Sequence, residues 1–155
     1  MQTFLPLANF AASAQVLDSQ RLGKQRSEAK QIYKALQDSS SGWARHPATL
    51  MWAGYEPALA LYGVTICAVW VGRGYHDEQL QWFAERLPKQ QIVVMPPWWG
   101  DQRFHSSHRS KLFYKNKEFY GQYDWWEATQ PPRDYFWPTK EGYGQPKIQR
   151  ELPAV

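Results

Sequence analysis

Residues 57–71 carry no charged side chain and are apolar almost all round a helical projection. A run of this length falls short of the ~20 residues that span a hydrocarbon core, so it reads as a helix buried inside a folded body with the rest of the chain wrapped around it. Pro57 suits a first helical turn, where its fixed φ and missing N–H are tolerated, and Gly72 and Gly74 close the element. A chain of 155 residues buries roughly 70% of its extended surface on folding, enough for one core and one domain. Cys67 is the single cysteine, and the first residues lack the charged and apolar regions of a signal peptide. The expected compartment is the cytoplasm, with no membrane role.

Around this helix the other elements can be placed. Leu22, Ala29, Ile32, Tyr33 and Leu36 recur at helical spacing, so residues 13–37 read as one long amphipathic helix. A loop follows at 38–42, and Pro47 opens a short helix. Residues 76–87 form a further amphipathic segment, 92–95 the only β-like run, and 96–100 a rigid Pro-Pro-Trp-Trp-Gly loop. A helix is expected over 104–114 and a turn near 118–123, whereas prolines at 131, 132, 138, 146 and 153 argue against regular structure beyond Trp126. The expected fold is all-α: a compact single-domain helical bundle over 1–155, with a helical body at 1–123 and an irregular, aromatic, proline-rich tail at 124–155, partly packed through Tyr135, Phe136 and Trp137. There is no internal repeat.

The net charge of +4 is small, so its distribution matters more than its size. Residues 1–37 hold five Lys/Arg against two Asp/Glu, and 103–123 hold five against one, while the remaining segments are slightly acidic. Two concentrated basic segments are what a surface facing a phosphate backbone needs. Solvated faces kept for solubility would look the same in sequence.

On a helical wheel Leu17, Arg21, Lys24 and Glu28 lie close together beside the apolar face, which makes a polar stripe at the edge of the core. Arg26, Lys30 and Lys34 form a separate ridge suited to phosphates. Glu28 is thus either a partly desolvated carboxylate among cations or one half of an ordinary intrahelical pair with Lys24. Gly23 sits in the helix interior at a cost of about 1 kcal/mol, which signals close approach of a ligand or of another helix. In the second basic segment, His105, Ser107, His108, Arg109, Lys111, Lys115 and Lys117 provide a dense set of phosphate donors. No cysteine or nearby acid completes a zinc pattern with the two histidines, so neither a metal nor a cofactor is expected. Aromatic residues make up 16% of the chain, more than a core needs, and the pairs Trp98/Trp99 and Trp125/Trp126 divide between core filling and base stacking.

The segments Leu17-Asp-Ser-Gln-Arg-Leu-Gly-Lys-Gln-Arg-Ser-Glu-Ala, His46-Pro-Ala-Thr-Leu-Met-Trp-Ala-Gly-Tyr, Val71-Gly-Arg-Gly-Tyr and His105-Ser-Ser-His-Arg-Ser-Lys-Leu-Phe-Tyr-Lys together resemble the pyrimidine-dimer DNA glycosylase family of the phage endonuclease V type. The likeness runs to about Tyr123. It implies a compact all-α enzyme that kinks double-stranded DNA, displaces a nucleotide and attacks the sugar C1′ with its N-terminal α-amine, forming a Schiff base whose β-elimination nicks the strand. The family's catalytic glutamate falls on Glu28, and Arg21, Lys24, Gln25, Arg26 and Lys30 of the same basic helix are the expected DNA contacts. That family exposes a small residue when the initiator is removed, whereas this chain begins Met1-Gln2-Thr3. Met1 and Gln2 are therefore both carriers of the expected amine, with Lys24 as a substitute nitrogen. The expected partner is duplex DNA, bound by a monomer with no obligate protein partner. The alternatives are a nucleic-acid binder that keeps the fold without catalysis and an interaction domain docking through its aromatic tail.

Overall fold

The computed structural model describes residues 1–89 and 92–138, together with the backbone of 147–149. Seven helices occupy these residues: α1 (Phe10–Val16), α2 (Ser19–Gln37), α3 (Pro47–Leu50), α4 (Glu56–Gly72), α5 (Leu80–Ala84), α6 (Gln102–Lys115) and α7 (Lys117–Tyr120). Short 3-10 turns follow at Gly121–Tyr123 and Trp126–Thr129, and β1 (Val93–Met95) pairs antiparallel with β2 (Lys147–Gln149), Val94 opposite Ile148.

The apolar run forms α4, whose residues Ala58 to Cys67 are all buried, with α1, α2, α5 and β1 packed around it. Two glycines set how closely the neighbours approach. A Cβ on Gly63 would lie 2.2 Å from the Phe83 ring, so α5 can close on α4 only at a residue without a side chain. At Gly23 a Cβ would come within 2.9 Å of the Trp70 ring. Helix packing, with no ligand, accounts for that glycine. Among the described residues no helix is long and apolar enough to cross a membrane.

The expected single helix over 13–37 is two helices. Leu17 (ψ 140) and Asp18 (ψ 154) are extended, and the Asp18 carboxylate accepts the Arg21 N–H as the N-cap of α2. The carbonyls freed at the end of α1 find a partner in Arg73, whose guanidinium donates to Ala14 O (3.4 Å), Gln15 O (3.0 Å) and Ser19 Oγ (3.1 Å). The segment expected to be helical over 76–87 is helical only over Leu80–Ala84. Asp77 starts it, accepting the Gln79 and Leu80 N–H groups and pairing with Arg26 at 2.7 Å. Beyond Trp126 the described residues make a 3-10 turn and lie along α6 as far as Phe136, and residues 147–149 form β2 beside β1. The rest of the expected extended tail lies outside the described residues.

Candidate active site

Residues 2–6 are buried and lie outside any helix or strand. Their backbone groups are taken up by side chains from three helices and a neighbouring residue. Phe4 N–H donates to Gln25 Oε1 (3.0 Å), Leu5 N–H to His108 Nδ1 (2.9 Å) and Thr3 N–H to Gln2 Oε1 (2.9 Å). Arg109 Nη1 donates to Pro6 O (2.7 Å), and the single Tyr62 hydroxyl proton faces both Phe4 O (3.0 Å) and, more closely, Gln25 Oε1 (2.7 Å). His105 Nε2 accepts the Gly100 N–H, which leaves Nδ1 carrying the proton donated to Leu5 O (2.8 Å). Held in this way, the segment delivers Met1 and Gln2 to the polar stripe of α2.

There a pocket of about 300 Å³ opens, at the small end of ligand-binding cavities. Gln20, Arg21, Lys24, Gln25 and Glu28 line it from α2, Met1, Gln2 and Phe4 from the N-terminal segment, Lys115 from the end of α6 and Tyr135 from the tail. Arg21, Lys24 and Glu28 of the group placed together by the wheel thus share one wall, whereas Leu17 lies in the core ahead of α2. Glu28 is not paired with Lys24. Its Oε2 accepts Gln25 Nε2 at 3.0 Å and the Gln2 backbone N–H at 3.4 Å. Gln25, 1% exposed, joins the carboxylate to the core, because its Oε1 also accepts the Tyr62 hydroxyl at 2.7 Å. Burial, with Glu28 nearby, pushes the Tyr62 phenol well above its ordinary pKa, so it remains a donor.

Arg21 is fixed by a second network. Its Nη1 donates to Asp18 Oδ1 at 3.1 Å, and Asp18 also accepts the Tyr120 hydroxyl, whose oxygen takes the Asp18 N–H (3.1 Å). Burial alone would raise the Asp18 pKa, but the bonds from Tyr120 and Arg21 outweigh it and hold the carboxyl below its usual range. The result is a cation locked at the pocket wall.

The second basic segment does something else. His105, Ser107 and His108 are buried and engaged with backbone, so they offer nothing to a phosphate. Arg109 makes a two-point pair with Glu127 (2.9 and 3.0 Å) and is consumed there as well. The three serines of α6 are posts for the tail: Ser106 Oγ donates to Glu127 Oε2 (2.6 Å), Ser110 Oγ accepts Arg133 N–H and Ser107 Oγ accepts Phe136 N–H, both at 3.0 Å. Lys111 pairs with Asp134 at 3.2 Å. Of this segment only Lys115 reaches the pocket, and Lys117 is exposed beside the Tyr114 ring. The ridge on α2 is spent in the same manner, since Arg26 pairs with Asp77 over Trp70 and Lys30 lies over Trp82, while Lys34 is exposed. Trp98 is core, Trp99 and Trp125 pack on neighbouring rings, and Trp126 is exposed under Arg133. Phe4, Gln20 and Tyr135 are pocket residues that sequence reasoning missed. Among the described residues no three His, Cys, Asp or Glu side chains gather as a ligand set.

His108 couples this site to pH. Burial, then the nearby His105 and Arg109, depress its pKa well below the ordinary value. The unfolded chain therefore takes up the proton first. Stability should fall as pH drops below about 6.5, by up to about 1.4 kcal/mol per unit. Urea midpoints near pH ~7.5 and ~5.5 measure this, and His108→Gln, which can still accept from Leu5 N–H, should flatten the dependence. A wild-type midpoint that stays constant between those values contradicts the assignment.

A family model described as pyrimidine dimer DNA glycosylase matches residues 1–82, more than half of the chain. No curated protein and no solved structure matches it. The match covers the N-terminal segment and every pocket residue on α2, and leaves out α6, Lys115 and Tyr135.

Proposed function

The chain belongs to the pyrimidine dimer DNA glycosylase family, and from that premise we propose that it excises a dimerised or otherwise damaged pyrimidine from duplex DNA through a Schiff base and then nicks the abasic strand. The observation that carries this reading is the 3.4 Å approach of the Gln2 nitrogen to the Glu28 carboxylate on the wall of the pocket. If the initiator is removed, that nitrogen becomes the α-amine. If it is kept, the amine belongs to Met1, one residue away in the same pocket.

A neutral α-amine attacks C1′, and the C1′–N bond breaks with its electron pair leaving on the pyrimidine. Glu28 accepts the proton that the amine gives up and passes it to the ring oxygen O4′ as the sugar opens, so that the carboxylate, charged again, stands against the cationic imine. The same carboxylate takes the C2′ proton whose loss expels the 3′ phosphate, and water hydrolyses the imine to free the amine. Arg21, Lys24 and Lys115 at the pocket, with Lys117 beyond it, serve the phosphates. A terminal amine suits this task better than a lysine because it is less basic and more of it is neutral near pH 7.

Borohydride reduction in the presence of a duplex with one abasic site tests the mechanism. A covalent adduct that maps to Met1 or Gln2 is expected. Absence of an adduct, or an adduct on Lys24, overturns the assignment of the amine, and absence of nicking as well leaves a nucleic-acid binder without catalysis.

A further inference from the structure

Tyr135 enters the pocket from a part of the chain that the family match does not include. Its position is determined by α6. Glu127, Arg133 and Phe136 are fixed to Ser106, Ser110 and Ser107 along one side of that helix, and Lys111 holds Asp134 and lies 5.2 Å over the Tyr135 ring. The ring meets His108 edge-on at 5.4 Å and packs at 6.4 Å from Phe4. One of these neighbours, His108, also holds the N-terminal segment through Leu5, and the other, Phe4, belongs to that segment.

Tyr135 is only partly buried, and its hydroxyl differs from those of the buried Tyr62 and Tyr120. Tyr62 and Tyr120 give their protons to Gln25 and Asp18, whereas the Tyr135 hydroxyl has no hydrogen-bond partner among the described residues. Burial raises its pKa to about 12, with Arg21 and Glu28 close enough to act on it in opposite directions, so it keeps its proton across the working pH range. A second donor on the same pocket is equally unused. The side-chain Nε2 of Gln2 is buried without a partner among the described residues. A polar atom buried without a partner costs free energy unless a ligand completes it.

We propose that Tyr135, assisted by the Gln2 side-chain amide, is the donor that holds a carbonyl oxygen of the damaged pyrimidine, reading the base before excision and stabilising it as it leaves. Pyrimidines in a dimer keep their O2 and O4 carbonyls, which are acceptors. When the C1′–N bond breaks, the electron pair that arrives on the ring nitrogen spreads onto the adjacent carbonyl oxygen, where a hydrogen bond grows stronger. Tyr135 keeps its proton throughout, the amine's proton goes to Glu28, and the departing base is protonated by water. This role rests on the function proposed above, but concerns only the step that involves a base.

The step-specific variant is Tyr135→Phe, which keeps the ring and its packing. Single-turnover excision from a duplex with one thymine dimer should fall about tenfold to a hundredfold, the effect of one hydrogen bond to a charge-bearing oxygen. Nicking of a duplex with a pre-formed abasic site, which has no base to hold, should stay at the wild-type rate, and the melting temperature should not move. Wild-type excision by the variant, or equal loss on both duplexes, overturns the role for Tyr135. A wild-type protein that neither nicks nor is trapped on the abasic duplex overturns instead the underlying function, and the two failures are distinct.

Discussion

Glu28→Gln should lower nicking of an abasic duplex and borohydride trapping by about 10²- to 10⁴-fold, the usual contribution of a positioned proton acceptor, while leaving duplex binding intact. The substitution preserves shape, and its amide oxygen can still accept from Gln25 Nε2 and the Gln2 N–H, so both bonds seen at Glu28 survive. What it removes is the charge. The amine then has no base for the proton it must lose, and the cationic imine has no counter-charge. Binding should be indifferent to this, because in the proposed function affinity for a duplex rests on Arg21, Lys24, Lys115 and Lys117, and phosphate contacts of that kind weaken steeply with salt. Single-turnover nicking, gel-shift titration at two salt concentrations and a melting curve separate the effects. Undiminished nicking by the variant would remove Glu28 from the chemistry.

The parts of this site that were readable in sequence are those that depend on one helix. Spacing alone brings Arg21, Lys24 and Glu28 to one edge of the core, and an uncharged run that is apolar all round identifies α4 as the buried centre. The break at Leu17–Asp18 was also within reach, since an aspartate followed by a polar turn is a helix-start signal. It was obscured because the apolar pattern continues across it. The roles of α6 could not be read locally. A histidine that receives backbone from 103 residues away, or a serine from 29, has the same side chain as one that binds phosphate, and only the tertiary contact distinguishes Leu5–His108 or Phe136–Ser107 from a DNA surface. Tyr135 was placed in a partly packed tail for its ring, but its access to the pocket depends on those same posts.

That dependence makes the Arg109–Glu127 pair the expected weak point of the fold. Glu127 is 3% exposed. Burial would raise its pKa, but Arg109 and Ser106 outweigh this and hold it below the usual carboxylate range, so the pair is intact at neutral pH and is lost as pH falls through the lowered value. Glu127→Ala leaves the Arg109 guanidinium without its counter-ion, and should cost about 3–5 kcal/mol in urea unfolding. Arg109 also donates to Pro6 O, so one side chain ties the tail to the N-terminal segment and both walls of the pocket loosen together. The double variant Arg109→Met/Glu127→Leu discriminates between stability and positioning. Apolar replacement of a buried pair often recovers stability, but methionine has no donor for Pro6 O. The double variant should therefore regain most of the unfolding free energy without regaining the excision rate. Recovery of both would mean that the link to Pro6 does not position the amine.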